Sequence, residues 1–252
     1  MIYIVRHGER ADDTLSKVEK AKIIADYDPH LTELGVLQSE AAGKEILKFT
    51  EEVSQREKLN SKSLKYIVVS SPFLRCVQTA ATIARTLGPE KVYNNKLYLE
   101  PGASEILMEN WFKPTILDDL LVKKLNKEEL PPLVGTDFTW GVEEGKSIID
   151  PIYPEGAQTF FLRFQYFFKY IRDWFLDNFS GKDYALVIVT HGFAVKAALQ
   201  TALKFSYSQG IEFTCITGFY YDCANRNRDK PLSFVTQYAE HIRNLTMPTP
   251  KL

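Results

Sequence analysis

The chain contains four histidines, and two of them, His7 and His191, stand directly after an apolar run and directly before a glycine. Ile2-Tyr3-Ile4-Val5 leads into Arg6-His7-Gly8, and Tyr184-Ala185-Leu186-Val187-Ile188-Val189-Thr190 leads into His191-Gly192. A third apolar run, Tyr66 to Ser70, leads through Ser71-Pro72-Phe73-Leu74 to Arg75. Short continuous apolar runs closed by turn residues read as buried strands. In a parallel sheet their ends share one edge, which is where open α/β sheets build their sites. Two imidazoles and two guanidiniums converging there, beside the N-termini of the helices that follow, make an anion pocket. Phosphate is the anion that suits it. Histidine can attack phosphorus as a covalent nucleophile, and arginines neutralise charge on the equatorial oxygens of a phosphoryl group in transfer. A departing alkoxide needs a proton, so the constellation also calls for an acid at the pocket mouth, a carboxylic acid or a second histidine.

The elements that must position these residues follow an alternation of strand and helix, which predicts an α/β fold with a mostly parallel central sheet. A helix is expected from Glu33 into the charged stretch 51–58, with Thr32 as its N-cap. Another runs from Phe73 to about Leu87, with Pro72 in its first turn and Gly88-Pro89 as its stop. Two short strand pieces are expected at Lys91–Tyr93 and Lys96–Leu99. From Gly156 to Phe179, Phe160, Phe164, Phe167, Ile171 and Phe175 recur at helical steps, an aromatic stripe expected to pack into the core. A helix from Phe193 to about Phe205 follows the last strong strand, and Ile211–Tyr221 and Leu232–Gln237 read as two further strands. The irregular region 106–155 holds Trp111, a helix expected over Ile116–Leu125, Pro131-Pro132 and Trp140. It reads as a cap inserted into a single domain spanning 1–252. The two tryptophans fit either cap core or an apolar wall for a substrate.

Bulk properties narrow the field. The 252 residues carry a net charge of -1, with 45% hydrophobic and 25% charged residues, so nothing in the total suggests a nucleic-acid binder or a polybasic membrane anchor. Apolar runs fall far short of the roughly 20 residues of a membrane span. A strand starting at residue 2 leaves no room for a signal peptide, and a cytoplasmic location is expected. Cys76, Cys215 and Cys223 are too scattered for a zinc site or a disulfide framework. Nor is any of them followed by arginine at the spacing a cysteine phosphatase uses; Thr82, Tyr221 and Asp229 stand there.

Arg6-His7-Gly8-Glu9-Arg10 resembles the signature of the histidine phosphatase superfamily, the phosphoglycerate-mutase-like proteins. Asp28-Pro29-His30-Leu31-Thr32-Glu33-Leu34-Gly35 is similar to the family's D-P-x-L-T-x-x-G segment. Ser70 to Ala80 resembles its second-arginine segment, and Thr190-His191-Gly192 its second-histidine segment. Leu99-Glu100-Pro101-Gly102-Ala103-Ser104-Glu105 looks like the E-P-G-x-x-E-W segment of the suppressor-of-T-cell-signalling and ecdysteroid-phosphate phosphatases, with Ile106 in place of the tryptophan. The resemblance implies a three-layer α/β/α fold and a phosphatase that hydrolyses phosphate monoesters through a phosphohistidine on His7. It implies that Arg6, Arg75 and His191 hold the phosphoryl oxygens, that Arg10 is a further phosphate contact, and that Glu105 protonates the leaving group, with Glu100 as the competing acid. It implies no metal and no diffusible cofactor. The partner would be a phosphorylated small molecule or phosphopeptide, with no nucleic acid or membrane involved, and a homodimer is left open. A mutase on the same scaffold is disfavoured because Arg10-Ala11-Asp12-Asp13 stands where mutases carry Ser and then Trp-Asn. A weakly active module that binds phosphorylated ligands is the third reading. Asp12 and Asp13 read as a solvated loop, His30 and His241 as surface residues, and Arg163 as half of a structural ion pair.

Overall fold

The structure is a computed structural model, and it describes residues 1–13, 17–23, 25–57, 63–122, 137–143, 145–179, 183–204, 210–221 and 233–237. Among them the order of elements is β1 (Ile2–Arg6), α1 (Lys17–Ala21), α2 (Glu33–Glu57), β2 (Lys65–Ser70), α3 (Leu74–Leu87), β3 (Val92–Leu99), α4 (Ile116–Val122), β4 (Asp137–Trp140), α5 (Ala157–Phe179), β5 (Tyr184–Thr190), α6 (Gly192–Leu203), β6 (Ile216–Tyr220) and β7 (Ser233–Gln237). The strands form one sheet in the order β4-β3-β2-β5-β1-β6-β7. The first five are parallel and β6 alone runs against them. β5, the most apolar run, takes the central place, buried by helices on both faces as a parallel strand requires.

The two faces divide the strands by residue parity. Ile2, Ile4, Ile67, Val69, Leu186 and Ile188 point to one side, where they meet the α5 stripe of Phe160, Phe164, Phe167, Phe168, Ile171 and Phe175 together with α6. Tyr3, Val5, Tyr66, Val68, Ala185, Val187 and Val189 point to the other, against Ala42, Ile46, Phe49, Cys76, Ala80 and Ile83 of α2 and α3. That alternation is the two-residue period of a strand read on both sides of one sheet, and it gives the three-layer α/β/α fold.

Register then brings the functional ends together. Arg6 pairs with Thr190 across β1–β5, and Ser70 pairs with Val189 across β2–β5. His7, Ser71 and His191 therefore leave the sheet side by side.

Several elements differ from the sequence reading. β3 is one strand rather than two pieces, because Asn94 and Asn95 (φ 52° and 51°) absorb an irregularity in left-handed backbone, which asparagine tolerates better than most residues. β4 lies inside the region 106–155, yet it pairs with β3 at the sheet edge. Its Trp140 packs with Val77, Leu99, Leu74 and Phe138. The stretch Ile211–Cys215 is not strand; β6 begins at Ile216. Cys223, His241 and the expected helix ends at Leu125 and Phe205 lie outside the described residues. No helix among the described residues is long and apolar enough to cross a membrane.

Candidate active site

The loop after β1 is stapled in place by its neighbours. Gly8 N–H donates to Thr79 Oγ1 of α3 (3.0 Å), and Glu9 N–H donates to Gln38 Oε1 of α2 (2.8 Å). A side chain at Gly8 would lie 2.5 Å from the Gly35 carbonyl oxygen, so glycine is what allows the loop to meet the first turn of α2. Thr32 caps that turn, its Oγ1 accepting from Gly35 N–H (2.9 Å) and donating to Glu9 Oε2 (2.7 Å). Glu9 thus serves the cap from outside the helix, where no Glu or Gln follows Thr32 at the usual spacing. Asp28, for which the sequence suggested no role, caps α3 from a distant loop: its Oδ1 accepts from Leu74 N–H (2.7 Å). The same oxygen lies 3.7 Å from Arg75 Nη1.

His7 is fully buried, and its Nδ1 lies 2.8 Å from the Gly8 carbonyl oxygen. A carbonyl only accepts, so Nδ1 carries the hydrogen and Nε2 keeps the lone pair. His191 is equally buried. Its Nε2 lies 2.9 Å from Ser71 Oγ, and its Nδ1 lies 3.4 Å from Arg75 Nη2 and 3.5 Å from Glu105 Oε2. Arginine only donates, so Nδ1 is the acceptor and Nε2–H donates to Ser71. The two rings meet edge to face, 5.3 Å between centroids. Both imidazoles are pushed well below their ordinary range, first by burial, then by Arg75 and by Arg6 or each other. Both are neutral at physiological pH.

Of the guanidiniums that do this, Arg75 is buried beside them and Arg6 is half-buried. Arg75 leaves Nε and Nη1 without a hydrogen-bond acceptor, and Arg6 leaves Nε without one. Arg6 is fixed by the segment expected to be strand: Nη1 donates to the Ile211 carbonyl, and the Phe213 ring lies 4.1 Å from the guanidinium carbon. The segment stays tied to the end of β1, with Arg6 N–H donating to the Cys215 carbonyl (3.1 Å) and Thr214 N–H to the His7 carbonyl (3.3 Å). Thr214 adopts φ 52° there. Arg75 rests on the Phe73 ring at 4.5 Å. Burial works against the charge on both arginines, with Glu105 as a counterweight.

Glu105 is 8% exposed, and its Oε1 accepts from its neighbour's N–H, Ile106 (3.1 Å). Burial raises its pKa, opposed by Arg75, the Ile106 N–H and Arg6. Glu100 is turned elsewhere: its two carboxylate oxygens accept from Val142 N–H (2.8 Å) and Ile148 N–H (3.1 Å), and burial lifts its pKa to about 7. Cys76 packs 3.4 Å from His191 Nε2, and burial pushes its thiol up to about 12, leaving it inert.

A cavity of about 450 Å³ opens over this cluster, lined by Arg6, Arg10, Arg75 and Glu105 at the sheet edge and by Trp111 and Phe193 farther out. Of the sequence-predicted residues, Arg6, Arg10, Arg75 and Glu105 line it; His191 lies buried against Arg75 and Glu105, and His7 lies buried behind it against the His191 and Phe213 rings. Glu100 and His30 are not part of its wall. Asp12 and Asp13 also reach its wall from their solvated loop, pairing with Arg10 Nε at 2.8 and 3.2 Å. Trp111 lines the cavity while Trp140 does not. Among the described residues, no group of three or more His, Cys, Asp or Glu side chains is placed to hold a metal ion.

Neutral histidines, unmatched N–H donors and a carboxyl group whose pKa burial raises can together take up a tetrahedral oxyanion and move a proton. The class this defines is an α/β protein with an anion pocket at the carboxyl ends of its parallel strands. Residues 2–116, the segment that carries Arg6, His7, Arg75 and Glu105, match the model of the Histidine phosphatase superfamily (branch 1). The fold is similar to that of the ecdysone phosphate phosphatase of Bombyx mori, at 18% identity over 86% of this chain and 87% of that one, with a TM-score of 0.54. A phosphoserine phosphatase from Entamoeba histolytica is also similar, at 19% identity over 94% and 98% of the two chains, with a TM-score of 0.48. No curated protein sequence matches the chain.

Proposed function

We propose that the protein is a phosphatase that hydrolyses phosphate monoesters through a covalent phosphohistidine on His7. The match of residues 2–116 to the histidine phosphatase superfamily model supports phosphatase activity in general. The mechanism rests on one observation above the others: a buried neutral imidazole whose Nδ1 is committed to the Gly8 carbonyl, beside a buried and a half-buried guanidinium with N–H groups left over. In this reading Nε2 of His7 attacks phosphorus while the P–O bond to the leaving group breaks. Arg6 and Arg75 hold the phosphoryl oxygens with their unmatched N–H groups, His191 joins them by turning its Nε2–H from Ser71 to a phosphoryl oxygen, and Arg10 is a further contact steadied by Asp12 and Asp13. Glu105 gives its proton to the departing oxygen. Water then attacks the phosphohistidine, the P–N bond breaks, and Glu105 recovers a proton from that water.

The outer cavity bears on the substrate. Trp111 and Phe193 are 49% and 41% exposed, and their ring centroids are 6.4 Å apart. Exposed aromatic faces at the mouth of a polar pocket favour a leaving group with an apolar face. The test of the reading is covalent trapping. Wild-type enzyme mixed with a labelled aryl phosphate and quenched in alkali, which preserves phosphohistidine, should carry label on His7. His7→Ala should carry none and should lose all turnover above background; turnover retained by that variant would refute the reading.

A further inference from the structure

Glu105 sits on a segment with little regular structure of its own. Only one 3₁₀ turn, Pro101–Ala103, precedes it, and Ser104 to Met108 belong to no helix or strand. An acid on such a segment needs outside support, because misplacement by about 1 Å can cost a hundredfold in rate.

The support comes from α5. We propose that the buried Arg163–Glu155 pair is a positioning device for Glu105, setting where the acid stands rather than serving only to stabilise the fold. The two side chains are 4% and 0% exposed. Arg163 grips Glu155 as a fork, Nε to Oε1 at 2.7 Å and Nη2 to Oε2 at 2.8 Å. Its remaining donors all go to one stretch of backbone: Nη1 to the Gly102 carbonyl (2.8 Å), and Nη2 to the carbonyls of Glu105 (3.2 Å) and Ser104 (3.4 Å). Glu155 holds the other side. Its N–H donates to the Leu107 carbonyl (2.8 Å), and its Oε2 accepts from Leu107 N–H (3.3 Å). Glu105 is therefore clamped before, at and after its own position. From the sheet, Thr190 Oγ1 donates to the Ala103 carbonyl (2.6 Å), which ties the same stretch to the residue preceding His191.

Stability alone is a poor account of this arrangement. A buried ion pair gains little over well-packed apolar residues of similar volume. What it supplies is geometry, since the planar arginine fork fixes several acceptors at once.

The inference rests on Glu105 being the acid, so Glu105→Gln is measured beside the clamp variants. Arg163→Lys keeps a cation but loses the fork. Arg163→Met combined with Glu155→Met keeps the volume, leaves no unpaired charge and removes the carbonyl contacts. Rates are taken per folded molecule, using circular dichroism, on an aryl phosphate with an acidic phenol and on an alkyl phosphate. In both clamp variants, kcat on the alkyl ester should fall about tenfold or more, while kcat on the aryl ester and both KM values change by less than about threefold. The basic limb of the kcat–pH profile on the alkyl ester should move to lower pH, because a loosened Glu105 is better solvated. Equal losses on both esters with an unmoved limb, in whichever clamp variant folds, would reduce the pair to a stability element and overturn the inference. If Glu105→Gln itself shows no preference between the esters, the assignment of the acid fails instead, and the two failures are told apart.

Discussion

Replacing Glu105 by Gln separates the chemistry of the acid from everything else the side chain does. The amide has the shape of the carboxyl, and its oxygen can still accept from Ile106 N–H, the bond seen at 3.1 Å. It cannot give a proton to a departing oxygen. A positioned general acid is worth about 10²- to 10⁴-fold, so kcat on an alkyl phosphate should fall at least about a hundredfold, roughly 2.7 kcal/mol in the barrier. An acidic phenol leaves as its anion without help, so the aryl ester should lose less than about threefold. The pH profile supplies the second half of the test. Burial raises the Glu105 pKa, and the protonated form is the active one, so the wild-type rate on the alkyl ester falls as pH rises through that raised value. The amide does not titrate, and this basic limb should vanish in the variant. Steady-state kinetics on the two esters from about pH 4 to 9 reads both effects. Equal losses on the two esters, or a basic limb that survives, would remove Glu105 from the role.

Two further perturbations test the neighbours of that carboxyl. Arg75→Ala should lower kcat on either ester by about 10²- to 10³-fold, as for a lost oxyanion donor, and should abolish the rise in melting temperature that inorganic phosphate gives the wild type; a near-normal rate would put Arg75 outside the phosphoryl site. Glu100→Gln should leave the leaving-group preference intact. Its effect is on stability: with a folded pKa of about 7 against an ordinary 4.5, the folded chain keeps a proton that the unfolded chain releases. Stability therefore falls as pH rises through that window, by about 3 kcal/mol, and denaturant titrations should show this component missing from the variant.

The cluster of Arg6, His7 and His191 is legible in the sequence because each of its parts is adjacent to a strong local signal. A buried parallel strand announces itself as an unbroken apolar run, and Arg6, His7 and His191 are the next residues along. The aromatic stripe of α5 was legible for the same reason, as a period in one stretch of chain. β4 was not: four residues, Asp137-Phe138-Thr139-Trp140, carry too little pattern to outweigh the irregular region around them, and only pairing with β3 makes them a strand. The stretch Ile211–Cys215 reads as strand from its apolar residues, while the left-handed backbone at Thr214 and the contact with Arg6, 205 positions earlier, leave no local signal.

The two carboxyls show where that boundary falls. Glu100 and Glu105 stand in the same short segment, both buried and both with raised pKa values. Nothing in their local sequence orders one above the other. What separates them is contact across the chain: Glu100 is drawn away by backbone N–H groups 42 and 48 positions later, and Glu105 is held at the cavity by an arginine 58 positions later. An acid carried by a strand end would inherit its place from the sheet. Carried by an irregular segment, it takes its place from long-range hydrogen bonds, and those partners then set how well the carboxyl they hold can act.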